Sequence, residues 1–296
     1  MKWTIKNEQA GMLIRDFLQQ VGGFSRRILI AAKSDEGNIL LNEVRETVRA
    51  QLKAGDILEV QLPPEPVSKW LFPEQLDLTI EYEDEAVLVI NKPPGMPTLP
   101  SPKYKSGTVA NGVLAHYEKI GNPHTIHIVT RLDKDTSGLL LIAKDRLSHS
   151  LLAKSQQRFT INRKYMTIVE GHMDRKEGKI DAPIGRNPAS IVERMVTDTG
   201  KRAVTHYKVK KRLAEHTLVE VELETGRTHQ IRVHFSYLNH PLLGDDLYGG
   251  KKDSLNRQAL HCHEIRFLHP FTGKAHTVVT DLPEDMVKAM NQLSSD

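Results

Sequence analysis

Cysteine is almost absent from this 296-residue chain, in which Cys262 stands alone. One thiol excludes an internal disulfide framework and a thiolate zinc cluster. No apolar run approaches the ~18 residues that a membrane-spanning helix needs. The opening MKWTIKNEQ lacks the pattern of a signal peptide, so a cytoplasmic location is expected. Internal repeats and low-complexity tracts are missing as well, which excludes a solenoid or an array. Charge of one sign is in short supply, too. A net charge of +4 permits a nucleic-acid partner without requiring one. What is present is ordinary for a globular protein: 39% hydrophobic and 26% charged residues, in a chain long enough for two domains. Such a chain can bury a core without disulfides or metals.

Residues 1–62 read as a small α/β module. Ile14, Phe17, Leu18 and Val21 share one helix face, and Ser25 can cap a second helix that begins at Arg26. Ile39 to Leu41 and Ile57 to Leu62 then read as strands, the second introduced by the turn pair Gly55-Asp56. Residues 63–76, which hold Pro63, Pro64, Pro66 and Pro73, read as a linker. From 77 to 296 strands outnumber helices without alternating with them. Strands are expected at 86–90, 126–129, 139–143, 165–169, 204–209 and 218–223, and helices at 108–118, 147–159 and 228–238. That order argues for an α+β fold with a mixed, largely antiparallel sheet.

Three segments carry chemistry. In the first, an apolar strand enters the polar turn Thr130-Arg131-Leu132-Asp133-Lys134-Asp135-Thr136-Ser137 and leaves through Gly138 into a second apolar strand. A rigid scaffold presents reactive groups at such strand ends. Arg131 and Lys134 could keep Asp133 ionised; alternatively, Asp133 and Asp135 only brace the turn. In the second, Tyr165, Thr167 and Val169 alternate onto one strand face, where a tyrosine is either core or a platform for a base. The third, Thr225-Gly226-Arg227-Thr228-His229-Gln230-Ile231-Arg232, turns from a strand into a helix. Arg227 would sit at the helix N-terminus, where the dipole disfavours a cation, so a carboxylate or phosphate should lie nearby.

Other features allow plainer readings. Residues 201–212 hold Lys201, Arg202, Lys208, Lys210, Lys211 and Arg212 with no acid among them. They form either a solvated hairpin face or a contact with an RNA backbone. His229 and His234 are five apart rather than the four of a helical metal pair, and His261 and His263 lack a third ligand, so no metal site is expected.

Taken together, these segments resemble the RluA family of pseudouridine synthases over about residues 77–275. The likeness rests on Asn91-Lys92-Pro93-Pro94-Gly95-Met96, Arg131-Leu132-Asp133 through Gly138-Leu139, Lys164-Tyr165 and Leu223 with Thr225 to Arg232. His240-Pro241-Leu242-Leu243-Gly244-Asp245, Arg257 to His261 and His269-Pro270 complete it, in the family's order. Residues 1–62 resemble an S4-like RNA-binding module, which often precedes that catalytic domain. The resemblance implies an enzyme that isomerises uridine in structured RNA, ribosomal or transfer, by flipping the nucleotide out and rejoining its base through C5. It implies Asp133, Tyr165 and Arg227 as the catalytic residues, with Arg227 paired to Asp133 and Tyr165 stacked on the uracil. Arg131 and Leu223 would contact the substrate. Whether the carboxylate adds to the ribose or takes its 2′ proton stays open. No cofactor or metal is implied, because the reaction is an isomerisation. Two positions depart from the family's habit: Thr130 and Leu99 stand where histidines are common, and both are expected behind the site. The rival readings are a non-catalytic RNA-binding protein that keeps the fold and a hydrolase pairing Asp133 with Asp135.

Overall fold

The computed structural model describes residues 1–66, 68, 70–157 and 161–294, without the side chains of residues 155–157. The N-terminal module comprises β1 (Lys2–Thr4), α1 (Ile14–Gln20), α2 (Arg26–Ala32), β2 (Asn38–Leu41), β3 (Val44–Arg45) and β4 (Ile57–Gln61). Its strands pair antiparallel in the order β1-β4-β2-β3. Both expected helices are present, and the Ser25 hydroxyl accepts the Ile28 N–H at 3.3 Å, which satisfies one free donor of α2. Ile14, Phe17, Leu18, Ile28, Leu58 and Val60 form this module's own core.

The rest of the chain is built on one ten-stranded sheet. In chain order the elements are β5 (Thr79–Glu83), β6 (Val87–Lys92), α3 (Val109–Ile120), β7 (His127–Ile128), β8 (Ser137–Ala143), α4 (Arg146–Gln157) and β9 (Asn162–Glu170). They continue with β10 (Glu177–Asp181), β11 (Ile184–Arg186), β12 (Arg194–Val196), β13 (Val204–Arg212), β14 (His216–Leu223) and α5 (Gln230–Tyr237). The last are β15 (Leu260–Leu268), β16 (Ala275–Val279) and α6 (Glu284–Gln292). Strand order is β10-β13-β14-β9-β15-β8-β6-β5, with β16 added at β15 and β7 at β8, while β11 and β12 form a separate hairpin. The β15–β8 pairing is parallel and its neighbours are antiparallel, as the α+β expectation requires. The end of the expected helix 147–159 lies outside the described residues.

β8 explains why the site sits where it does. Every residue of its Ser-Gly-Leu-Leu-Leu-Ile-Ala run is buried, the pattern of a central strand covered on both faces. Gly138 adopts φ +109°, and a Cβ there would lie 2.3 Å from the Cys262 carbonyl oxygen. Only glycine lets β8 approach β15 this closely, directly after the turn that carries Asp133.

Residues 63–66 are more than a tether. Glu65 is buried, its carboxylate 2.7 Å from His127 Nε2 and 3.3 Å from Arg146 Nε, and it accepts the Arg146 backbone N–H at 3.0 Å. Leu147 of α4 completes the core of the N-terminal module, and Ser150 donates to the Gly23 carbonyl. Burial alone would raise the Glu65 carboxyl, but the hydrogen bond and charge of His127 and the charge of Arg146 hold it down at about 2. Glu65→Gln should therefore cost about 1.5–3 kcal/mol at neutral pH, the range for hydrogen bonds to charged groups. The wild-type advantage should be complete above the ordinary glutamate value of about 4.3 and shrink as pH falls towards 2. Urea titrations of both proteins at neutral pH and near ~pH 3 check this; an equal gap at both would disprove the ionic role.

The basic run 201–212 lies mainly on β13 and is answered by its neighbour. Lys210 meets Glu220 at 3.4 Å across the β13–β14 pair, and Arg202, just before β13, meets Glu224, just after β14, at 2.9 Å. The other cations of the strand, Lys208, Lys211 and Arg212, are exposed.

Candidate active site

Asp133 lies in the turn between β7 and β8, and that turn is held through its carbonyls. Lys92, at the end of β6, is fully buried and donates from Nζ to Lys134 O at 2.8 Å, Pro93 O at 2.8 Å and Met96 O at 2.9 Å. Thr98 Oγ1 donates to Leu132 O at 3.0 Å and Arg257 Nη1 to Asp135 O at 3.2 Å. The Thr136 N–H closes the turn on the backbone carbonyl of Asp133, at 3.2 Å. The turn therefore does not need the Asp133 carboxylate for bracing. Burial pushes the Lys92 ammonium down to about 7; Asp135 opposes that fall, Arg257 adds to it and Asp133 opposes it.

The freed carboxylate faces a cleft of about 560 Å³. All five sequence-predicted residues, Asp133, Tyr165, Arg227, Arg131 and Leu223, line it. Tyr165 projects from the middle of β9, beside Val221 of β14 and Cys262 of β15. Its ring is 4% exposed and burial raises its hydroxyl pKa. With Leu223, Leu260, Val129 and Ile231 it makes an apolar floor, while Arg131 and Arg227 are exposed at the rim. Asp135 is not among the lining residues, which removes the two-aspartate hydrolase arrangement.

One predicted contact is corrected. Arg227 does not pair with Asp133; its Nε donates to the Arg202 carbonyl at 2.9 Å. The partner is Arg232, whose Nη1 lies 3.3 Å from Asp133 Oδ2. The cation at the start of α5 is Arg232 rather than Arg227. α5 begins at Gln230, so Arg227 precedes the helix and Arg232 occupies its first turn. There two acids offset the unfavourable dipole. Arg232 makes a bidentate pair with Asp245, Nε to Oδ2 and Nη2 to Oδ1, both 2.7 Å, and Asp245 is 1% exposed. Burial alone would lower the basicity of Arg232, but Asp245 and then Asp133 raise it above its ordinary value. Its guanidinium also stacks over Tyr248, 4.9 Å from the ring centre.

His229 also escaped the sequence reading. It caps α5 in the left-handed region, φ 56° and ψ 21°, a conformation uncommon outside glycine. That backbone aims its ring at the site, with Nδ1 2.8 Å from the Tyr248 hydroxyl and Nε2 3.8 Å from Asp133 Oδ2. Burial lowers its basicity, Asp133 opposes this and Arg232 adds to it. His234 turns away to Thr205 Oγ1 and Ala182 O, so the two histidines do not converge on a metal. The departures from the family's habit also separate. Thr130 is buried behind the turn, accepting the Leu141 N–H, whereas Leu99 is 42% exposed and forms part of the cleft wall, contrary to expectation.

Known proteins resemble this chain in sequence and fold. The sequence family described as RNA pseudouridylate synthase matches residues 86–237, a stretch that holds Asp133, Tyr165 and Arg232. Uncharacterized RNA pseudouridine synthase YjbO of Bacillus subtilis is 47% identical over 277 residues, covering 94% of this chain and 98% of that protein. Ribosomal large subunit pseudouridine synthase D of Vibrio parahaemolyticus is 38% identical over 309 residues, covering 99% of this chain and 94% of that one. Among solved structures, human RNA Pseudouridylate Synthase Domain Containing 1 superposes with a TM-score of 0.58 at 25% identity, over 69% of this chain and 83% of the human one. A cleft with an aspartate tethered to an arginine above an apolar floor, on a sheet and sequence shared with these proteins, makes this chain an RNA pseudouridine synthase and a member of the RluA family.

Proposed function

We propose that Asp133 is the carboxylate that detaches uracil from its ribose, and that the target is a uridine in ribosomal RNA. The observation that carries the reading is the tether: Arg232, itself clamped by buried Asp245, holds Asp133 at the mouth of an apolar-floored cleft. A cleft of about 560 Å³ accommodates a nucleoside, since small-molecule sites span roughly 300–1,000 Å³. The target nucleotide is flipped from its stack, at a cost of about a few kcal/mol. Its uracil rests on Tyr165 and Leu223, which supply the stacking that offsets this cost. Arg131 takes the place the nucleotide leaves, and Arg227 at the rim binds a flanking phosphate.

The chemistry then balances internally. The C1′–N1 bond breaks, the base turns, a C1′–C5 bond forms, the C5 proton leaves and N1 gains one. No oxidant, reductant or external cofactor enters, so none is required. Residues 1–62 act as an S4-like RNA-binding module, fixed to the catalytic domain through Glu65 and α4. Ribosomal RNA is favoured over transfer RNA because the Vibrio relative, matched over 99% of this chain, is named for the large ribosomal subunit. The work of such an enzyme lies in the cytoplasm.

The test is release of tritium from RNA labelled at uracil C5. Release without strand or glycosidic cleavage is expected from large-subunit ribosomal transcripts, and not from transfer RNA. EDTA should leave the rate on a prefolded stem-loop unchanged. Release from transfer RNA alone would overturn the target, and loss in EDTA restored by zinc would overturn the metal-free chemistry.

A further inference from the structure

Both contacts on the Asp133 carboxylate fall on the same oxygen. Arg232 Nη1 is 3.3 Å and His229 Nε2 3.8 Å from Oδ2. From this geometry we infer that His229 is a positioning residue for Asp133: its Nε2–H, with Arg232, anchors Oδ2 and leaves Oδ1 as the oxygen that acts on the nucleotide. The inference rests on the proposed role of Asp133 and adds an atom-level assignment to it.

The contacts of Tyr248 bear on the tautomer that this role requires. The Tyr248 hydroxyl accepts the Arg194 backbone N–H at 2.9 Å and lies 2.8 Å from His229 Nδ1. A phenol carries one hydrogen. With the Arg194 amide donating to its oxygen, that hydrogen is assigned to Nδ1, which accepts it. The ring hydrogen of neutral His229 then resides on Nε2, the nitrogen that faces Asp133. The hydrogen bond made by one imidazole nitrogen sets the proton on the other.

The backbone supports the same assignment. His229 is one of four non-glycine residues with positive φ among the described residues. From that backbone the ring lies between the Tyr248 hydroxyl and Asp133 Oδ2. The separation of 3.8 Å is long for a hydrogen bond in the unliganded protein, and such contacts commonly tighten once substrate is bound. Arg232, Asp245, Arg194, Tyr248 and Asp133 are the charged and titratable groups that act on this histidine. Lys92 and Tyr165 also lie within the field of Asp133.

The test compares His229→Gln, which keeps an N–H donor near the Nε2 position, with His229→Leu, which removes it. Single-turnover rates are read at saturating RNA across pH, alongside RNA affinity and melting temperature. His229→Leu should lose about 30-fold in rate, as expected for one hydrogen bond to a charged group. Its half-maximal rate should also move to higher pH, because a carboxylate that loses a donor is harder to ionise. His229→Gln should recover most of the rate and the wild-type pH limb, with RNA affinity unchanged throughout. Tyr248→Phe releases the tautomer lock without touching Asp133 and should also slow the reaction, which keeps the idea testable if His229→Leu folds poorly. Wild-type rate and pH limb in both His229→Leu and Tyr248→Phe would overturn the positioning role. Asp133→Asn, measured beside them, separates the two readings: turnover there would refute the carboxylate's role itself.

Discussion

Asp133→Asn should leave a folded protein that binds RNA and makes no measurable pseudouridine. The amide has the carboxylate's size, and its oxygen can still accept from Arg232 Nη1, now 3.3 Å from Oδ2. Asp245 keeps Arg232 paired, and the Asp133 side chain is 30% exposed, so stability should change by less than about 1 kcal/mol. What disappears is the anion that begins the reaction. A nucleophile or base removed from a preorganised site typically costs more than ~1,000-fold in rate. Tritium release under single-turnover conditions gives the rate, and a filter-binding titration gives the affinity. A rate within about tenfold of wild type would remove Asp133 from its assigned role, since loss of an essential group costs far more than that.

The strand-end position of Asp133 was legible because the sequence prints it as apolar strand, polar turn, glycine, apolar strand. The all-buried run of β8 and the glycine at φ +109° are what that pattern means in space. Period-2 alternation placed Tyr165 on one strand face, but its role, like that of Leu223, came only with the family resemblance. Pairing between side chains distant in sequence was not legible. Arg232 and Asp245 are thirteen residues apart, separated by the end of α5 and a turn, and only the folded chain closes that distance to 2.7 Å. The sequence reading placed the helix start at Thr228, whereas His229 takes a left-handed conformation and delays it to Gln230. That start puts Arg232 in the first turn of the helix, where it meets Asp245 and Asp133. Residues 63–66 misled in a similar way. Prolines mark an irregular backbone, but whether it is loose depends on Glu65 meeting His127 and Arg146, more than sixty residues away. In the basic run 201–212, the partners of Lys210 and Arg202 were not legible, because Glu220 lies on the next strand and Glu224 just past its end.

Arg232→Ala and Arg227→Ala should behave very differently although both residues line the cleft. Arg232 is 7% exposed and its removal strands Asp245, which is 1% exposed, without either of its two 2.7 Å contacts. Breaking a buried pair by deleting one partner costs about 3–5 kcal/mol. In a chain of this size that should lower the melting temperature by on the order of 10 °C. Asp133 also loses the guanidinium that holds its Oδ2 at 3.3 Å, so the carboxylate is no longer positioned and the rate falls steeply. Arg232→Lys should recover little, because an ammonium cannot reproduce the two parallel bonds to Asp245. Arg227 is exposed and holds only a backbone carbonyl through its Nε, so Arg227→Ala should melt within about 1 kcal/mol of wild type. Its loss should appear as weaker RNA binding, with the salt slope reduced by about one. Stability and chemistry can then be separated in one further protein. Replacing the pair together, Arg232→Met with Asp245→Leu, removes the stranded charge, and such apolar exchanges are often neutral or stabilising. That double variant should melt close to wild type yet remain slow, because Asp133 still lacks its tether. Recovery of both melting temperature and single-turnover rate would show that Arg232 serves only the fold.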